Sequence, residues 1–135
     1  MIVLRGAVVS GVGEGAVFVG LEWFRAAVQR AVRFDPYPGT LNVKLADAEA
    51  VARWREIREA GGLVVAPPAP DACGGRLVPV GIDPDIVAAV VVPDVTRYGD
   101  DVLEIVAGTH LRSRLGLHDG DEILLRYDAR QGGSP

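Results

Sequence analysis

Short apolar segments separated by turn residues are the feature of this sequence that most restricts the fold it can adopt. Four of them occupy the second half of the chain, at residues 77–82, 86–92, 102–106 and 122–127, and an earlier one covers residues 2–9. Proline, glycine and aspartate separate the later segments, and such short lengths are typical of strands rather than helices. Five or more short strands with turn signals between them predict a mainly β fold, arranged as a compact barrel.

Two segments in the first half have helical spacing instead. From Glu22 onward, apolar residues recur at intervals of three and four, which predicts an amphipathic helix. Asp47 is the predicted N-cap of a second helix, in which apolar residues repeat every three positions until Gly61 and Gly62 end it. We expect both helices to cover the openings of the barrel.

The remaining segments complete a single predicted domain. Residues 16–21 are predicted to form a strand, and residues 66–75 a surface loop, because their three prolines are unsuited to a central strand. A chain of 135 residues with 49% hydrophobic residues is long enough for one well-packed core. We place the domain at residues 1–128 and expect residues 129–135, which are mostly small and polar, to be a flexible tail.

Charge and composition argue against several classes of protein. The formal net charge is -4, from 14 Lys and Arg against 18 Asp and Glu, so no general positive field exists to hold nucleic acid. Cys73 is the only cysteine, which excludes an internal disulfide and a multi-cysteine zinc site. No apolar stretch reaches the roughly 20 residues of a membrane helix. We therefore expect a soluble cytoplasmic protein that binds neither nucleic acid nor membrane.

Polar and apolar side chains alternate directly after a turn made by Pro36, Pro38 and Gly39. Since successive side chains of a strand point to opposite faces, one face carries Thr40, Asn42 and Lys44, and the other carries Leu41, Val43 and Leu45. Hydroxyl and amide oxygens are ligands that Mg²⁺ accepts, and an ammonium group can balance phosphate charge. The alternative is a half-buried strand with no chemical role, which has the same pattern.

Three other segments could carry chemistry. Gly11-Val12-Gly13-Glu14-Gly15 lacks both the P-loop lysine and the dinucleotide-binding spacing, yet its glycines would let backbone N–H groups approach phosphate. A simple hairpin turn explains the same residues. Glu104 lies among apolar residues and needs either solvent or a polar partner. Arg112 and Arg114, on a short predicted helix ended by glycine, either bind phosphate or are merely solvated.

Taken together, these segments resemble the archaeal CTP-dependent riboflavin kinases from Gly6 to about Leu125. The motifs that carry the resemblance are Ser10-Gly11-Val12-Gly13-Glu14-Gly15, Pro36-Tyr37-Pro38-Gly39-Thr40-Leu41-Asn42-Val43-Lys44-Leu45, Leu103-Glu104-Ile105-Val106-Ala107, Leu111-Arg112 and Leu117-His118-Asp119-Gly120-Asp121. The resemblance implies a small six-stranded cradle-loop-type β-barrel with a few covering helices. It also implies transfer of the γ-phosphoryl group of CTP to the 5′-hydroxyl of riboflavin, which gives FMN and CDP.

The resemblance assigns roles position by position. Thr40 and Asn42 would bind Mg²⁺, Thr96 and Glu104 would contact the flavin, and Lys44 and Glu104 would be catalytic. Lys44 would stabilise developing charge, and Glu104 would orient or deprotonate the ribityl hydroxyl. The nucleotide would be held by Gly11, Val12, Gly13, Glu14, Gly15, Ala16, Thr109, His110, Leu111 and Arg112. We expect a monomer whose only partners are these substrates and products.

Two alternatives remain open at this stage. Leu115-Gly116-Leu117-His118-Asp119-Gly120-Asp121-Glu122 also resembles the closing turn of swapped-hairpin transcription-factor barrels, which bind DNA. The acidic charge of the chain and the Thr40/Asn42 pattern argue against that interpretation. A barrel that binds flavin or nucleotide without catalysis is the second alternative. Many riboflavin kinases of this type also carry an N-terminal helix-turn-helix domain, and we expect none here because the sequence begins with the barrel.

Overall fold

The computed structural model of this chain describes residues 1–10, 22–60, 62–65, 74–82, 85–93 and 101–128. Within these residues the strands are β1 (Ile2–Val9), β2 (Leu41–Leu45), β3 (Leu63–Val65), β4 (Gly75–Ile82), β5 (Ile86–Pro93), β6 (Val102–Ala107) and β7 (Glu122–Tyr127). The helices are α1 (Glu22–Val32), α2 (Ala48–Glu59) and α3 (Leu111–Leu115). No helix in these ranges has the length and apolar character needed to cross a membrane.

Six antiparallel strands close into a barrel. The order around the sheet is β4-β5-β6-β2-β1-β7, and β7 pairs with β4 again, where Gly81 lies opposite Arg126. Strand β3 is added outside the closed ring, on the edge of β4. The mainly β fold and the six-stranded barrel with covering helices are thus confirmed.

Alternating side chains divide the apolar residues into two clusters. The barrel interior contains the inward-facing residues of all six strands, together with Trp54 and Ile57 of α2 and Leu111 of α3. A second cluster lies outside the sheet, where Phe24, Ala27 and Val28 of α1 pack on outward residues of β4, β5 and β6. Both predicted helices therefore bury the apolar faces that their spacing indicated. The expectation that both cover the openings of the barrel was wrong for α1, which packs on the outer face of the sheet.

Local signals set the ends of α2 and of the strands close to their predicted positions. Asp47 caps α2 by accepting a 2.9 Å hydrogen bond from the backbone N–H of Ala50. Strand β1 has the predicted bounds, and the four later strands match within one or two residues. Two details of the prediction were wrong: β3 was not anticipated, and Gly75, assigned to the loop, begins β4. Residues 16–21, 66–73 and 129–135 lie outside the described ranges.

Candidate active site

Two buried polar side chains lie opposite each other on neighbouring strands. The antiparallel register of β2 and β6 pairs Asn42 with Glu104, and that of β5 and β6 pairs Val91 with Glu104. Residues in direct register have side chains on the same face, with Cβ atoms about 5 Å apart. Because Val91 belongs to the outer cluster, the amide and the carboxyl group both lie on the outer face of the barrel wall. Asn42 is 7% exposed and Glu104 is 4% exposed.

The burial of Glu104 answers a question that the sequence left open, namely whether its side chain is exposed to solvent. An alternating strand commonly places its polar residues in water, but Glu104 is not on a wet face. Leu41, Val43 and Leu45 do point into the barrel interior, as the alternation predicted. Asn42 therefore faces away from the main core and is nevertheless enclosed, whereas Lys44, two residues further along the same face, is exposed.

The side-chain oxygen of Asn42 is an unsatisfied acceptor. Among the described residues, no hydrogen-bond donor reaches this buried Oδ1 atom. A buried acceptor without a partner costs about 1–3 kcal/mol, so such atoms commonly have a function or a missing partner. An amide oxygen next to a carboxyl group is a donor set that suits Mg²⁺. The arrangement therefore fits a divalent cation, although no cluster of three His, Cys, Asp or Glu residues occurs in the described part of the chain.

A cavity of about 270 Å³ opens at the end of the barrel where the turn before β2 meets the end of β6, and neither Asn42 nor Glu104 is among its lining residues. Its lining comprises Tyr37, Pro38, Gly39, Thr40, Leu41, Ile105, Ala107, Thr109, His110, Leu111 and Arg112. The turn that precedes β2 is held against the end of β6, because the backbone N–H of Tyr37 donates to the carbonyl of Ala107 at 2.8 Å. As a result, Thr40 and residues 109–112, which are far apart in the chain, line the same space.

Two rings form part of the cavity wall. The centroids of Tyr37 and His110 are 5.1 Å apart and their planes are inclined by 36°. His110 Nδ1 lies 2.6 Å from Ser113 Oγ, which restrains the imidazole from its other side. Tyr37 is 44% exposed, so its ring is accessible to a flat ligand. Sequence analysis did not single out Tyr37, because a tyrosine between two prolines indicates only a turn.

Arg112 is held at the same end of the barrel by an aspartate that sequence analysis also did not single out. Its Nη2 atom donates to Asp119 Oδ1 at 2.6 Å, while Ser10 Oγ donates to Asp119 Oδ2 at 2.7 Å. These contacts, first the hydrogen bond from Ser10 and then that from Arg112, lower the pKa of Asp119 from its ordinary value of 3.8. The sequence shows Asp119 only as part of a glycine-containing turn.

The predicted site residues fall into three groups. Thr40, Thr109, His110, Leu111 and Arg112 line one cavity, and Asn42 and Glu104 form the buried pair in the neighbouring strands. Lys44 shares the face of Asn42, and Asn42, Lys44 and Glu104 are all absent from the cavity wall. Residues 11–16 and Thr96 lie outside the described ranges, so their predicted roles in binding nucleotide and flavin stay predictions.

The chain is thus a closed antiparallel β-barrel protein with a polar cavity at one end and an enclosed amide–carboxyl pair in its outer wall. Residues 8–126 match the sequence model of a family named CTP-dep_RFKase and described as a domain of unknown function, DUF120. This chain belongs to that family, which is the family of the resemblance inferred from the motifs.

Curated relatives support the same family. A riboflavin kinase from Pyrobaculum islandicum is 38% identical over 126 residues, which cover 89% of this chain and 57% of the relative. One from Saccharolobus solfataricus is 35% identical over 125 residues, covering 90% and 71% respectively. One from Archaeoglobus fulgidus is 38% identical over 123 residues, covering 87% and 51%. The chain thus spans from about half to about seven tenths of the length of these relatives.

Proposed function

We propose that this protein is a CTP-dependent riboflavin kinase, which transfers the γ-phosphoryl group of CTP to the 5′-hydroxyl of riboflavin and releases FMN and CDP. The observation that carries the proposal is the convergence of Thr40 with residues 109–112 on one cavity. Membership of a family whose relatives are named riboflavin kinases supports the acceptor. CTP as the donor rests on the name of the family alone.

The residues present fit the Mg²⁺ ion that phosphoryl transfer requires. Asn42 offers a buried amide oxygen without a donor in the described ranges, and Thr40 offers a hydroxyl at the start of the same strand. Magnesium bound there would neutralise charge on the phosphates of the nucleotide. Both proposed ligands follow the turn at residues 36–39 directly, so the stiffness of that turn orients them.

Glu104 is proposed to orient or deprotonate the ribityl hydroxyl. It lies opposite Asn42, so the hydroxyl would meet the carboxyl group beside the proposed metal ligands. Arg112 and the backbone of residues 109–112 would bind the nucleotide, and Lys44 would act on phosphate charge from the exposed end of the same strand face. Catalysis would come from positioning and charge neutralisation, with no covalent intermediate.

The first experiment incubates the purified protein with riboflavin, Mg²⁺ and one nucleoside triphosphate at a time, and separates FMN from riboflavin by chromatography. We expect FMN to form chiefly with CTP. Formation of FMN with ATP alone would support riboflavin kinase activity and refute CTP as the phosphoryl donor. Absence of FMN with every donor, together with quenching of riboflavin fluorescence by the protein, would instead indicate a flavin-binding protein without transferase activity.

The site assignment has its own test. The double variant Thr40→Ala, Asn42→Ala should lose Mg²⁺-dependent turnover, by about 10²-fold or more, while its circular dichroism spectrum and thermal midpoint stay close to those of the parent. Gln29→Ala, an exposed polar residue on α1, is the control. Full turnover of the double variant would refute the proposed metal site.

A further inference from the structure

Asp119 connects two segments that the proposed function places around the nucleotide. Its two carboxylate oxygens have different partners: Oδ1 accepts from Arg112, and Oδ2 accepts from Ser10. Arg112 lies in α3 and lines the cavity. Ser10 follows β1 and directly precedes the glycine-rich segment 11–16. The Asp119 carboxylate thus connects Ser10, which precedes one predicted nucleotide-binding segment, with Arg112, the last residue of the other.

The position of Asp119 does not depend on these two contacts. The turn that carries it is bound to β1 by backbone hydrogen bonds, from Gly120 to the carbonyl of Val8 at 2.7 Å and from Val8 to the carbonyl of Asp121 at 2.9 Å. The same turn is tied to α3, since the N–H of Leu117 donates to the carbonyl of Arg112 at 2.8 Å. The backbone therefore presents the carboxylate, and the side chains of Ser10 and Arg112 adjust to it.

We propose that Asp119 is a positioning residue for nucleoside polyphosphate binding: it fixes the Arg112 guanidinium at the cavity and holds it at a set separation from Ser10, at the end of β1. This inference rests on the proposed function. Asp119 touches no substrate in this role. Asp119 restricts the long side chain of Arg112 before phosphate binds. Less side-chain entropy is then lost on binding.

The contrasting explanation is an ordinary surface ion pair. Such pairs commonly contribute little, because solvent and salt screen them. Three features distinguish this one: both carboxylate oxygens are used, the 2.6 Å distance from Arg112 is short for an N–H···O bond, and Arg112 is a wall residue of the cavity. A surface pair with no functional partner would affect stability slightly and ligand binding not at all.

The experiment measures nucleotide binding separately from catalysis. Calorimetric titration with CDP and Mg²⁺, without riboflavin, gives the dissociation constant for Asp119→Ala, Asp119→Asn and the parent. We expect Asp119→Ala to weaken CDP binding, and to raise KM for CTP, by roughly tenfold, which corresponds to about 1.4 kcal/mol. The KM for riboflavin and the value of kcat should stay within about twofold of the parent. Asp119→Asn should be intermediate, because it keeps an oxygen but loses the charge.

Two further variants test the mechanism. Glu122→Gln removes one negative charge close to the same turn, from a residue whose ion-pair partner is Arg5, and should bind CDP as the parent does. In an Arg112→Ala background, Asp119→Ala should cause little additional loss, because its effect passes through the missing side chain. Equal losses in both backgrounds would refute positioning through Arg112.

The outcomes separate this inference from the proposed function. If the parent binds CDP but makes no FMN, the kinase proposal fails and the CDP affinities of the variants still decide the role of Asp119. Parent-like CDP affinity in Asp119→Ala would overturn the inference whether or not the protein is a kinase. If Asp119→Ala does not fold, Asp119→Asn and Ser10→Ala decide, and parent-like affinity in both would reject it. No CDP binding by the parent would reject the inference, and formation of FMN in the kinase assay would decide the proposed function separately.

Discussion

Asn42 and Glu104 are the buried polar side chains of the described residues, and they lie opposite each other on β2 and β6. Both are enclosed on the outer wall of a barrel whose neighbouring residues are apolar. A buried polar group without a full set of hydrogen bonds lowers stability, and an apolar side chain of similar size would avoid that loss. A site that needs an amide oxygen and a carboxyl group would explain why this contact exists.

Replacing the amide by an apolar side chain should therefore separate stability from function. We expect Asn42→Leu to unfold at the same urea concentration as the parent or a higher one, because the unsatisfied Oδ1 atom is removed. FMN formation should be lost. The control is Leu103→Ala, beside Glu104 on the interior face, which should lose about 2–5 kcal/mol of stability. A large loss of stability in Asn42→Leu would mean that the amide has an important structural partner.

Glu104 offers a test of acid–base chemistry at nearly constant shape. Glu104→Gln keeps the size of the side chain and removes its ability to accept a proton. A positioned general base contributes about 10²–10⁴-fold, so we expect kcat to fall by at least about 10²-fold with little change in the KM for CTP. Measurement of initial rates at several riboflavin concentrations tests this expectation. Unchanged turnover with normal flavin affinity would eliminate Glu104 as the base.

The contacts of Asp119 also predict a dependence of stability on pH. Its pKa is lowered in the folded protein from 3.8, chiefly by the hydrogen bond from Ser10 and then by Arg112. A carboxyl group whose pKa falls on folding stabilises the fold above its unfolded pKa, and this contribution disappears as the pH drops through the folded pKa. The urea midpoints of the parent and of Asp119→Asn should differ at pH 6 and approach each other as the pH falls below 3.8 and through the lowered pKa of the folded state. A difference that persists in strong acid would contradict this linkage.

At the scale of elements, the close approach of β1 and β2 orients the strand that carries the site. Gly6 lies opposite Leu45 of β2 and Ile123 of β7. A Cβ atom at this position would lie 2.5 Å from Val43 Cγ1 and 2.7 Å from the backbone oxygen of Lys44. Since one of these atoms belongs to the backbone, the strands would have to separate to admit any side chain.

Gly6→Ala should accordingly destabilise the barrel. Overpacking of this kind typically costs about 1–3 kcal/mol, and urea unfolding followed by circular dichroism would measure it. The matched control is Gly108→Ala, where the added Cβ atom would be 3.5 Å from Phe34 Cβ, an ordinary contact. Its stability should stay within about 0.5 kcal/mol of the parent. Equal stability of both variants would show that β1 and β2 can separate freely.

At the scale of the whole molecule, sequence patterns predicted the structural features that are determined by residues close together in the chain. The bounds of β1, the cap of α2 and the inward side of β2 follow from β-branched content, from Asp47 and from alternation. Burial of Asn42 could not be predicted in this way, because it depends on the register between β2 and β6. Only two glycines precede β3, and its three residues are too few to alternate, so no local signal distinguishes it from a loop.

The residues of the candidate site also differ in whether the neighbouring sequence indicates them. Thr40 was a candidate because it follows a turn and its hydroxyl shares a strand face with the amide of Asn42, and the structure places it on the cavity wall. Asp119 was not singled out, because its contact with Ser10 joins residues that are far apart in the chain, and its contact with Arg112 depends on the conformation of the turn after α3. Neither contact has a signal in the residue pattern.

Closure of the barrel has a consequence for protein synthesis. Strand β7 pairs with both β1 and β4, so the hydrogen-bonding edges of those two strands stay open until residue 127 has left the ribosome. A nascent chain that lacks β7 leaves one edge of β1 and part of one edge of β4 unpaired, and such edges are sites for association with other chains. The barrel can therefore close only after its last strand has been made.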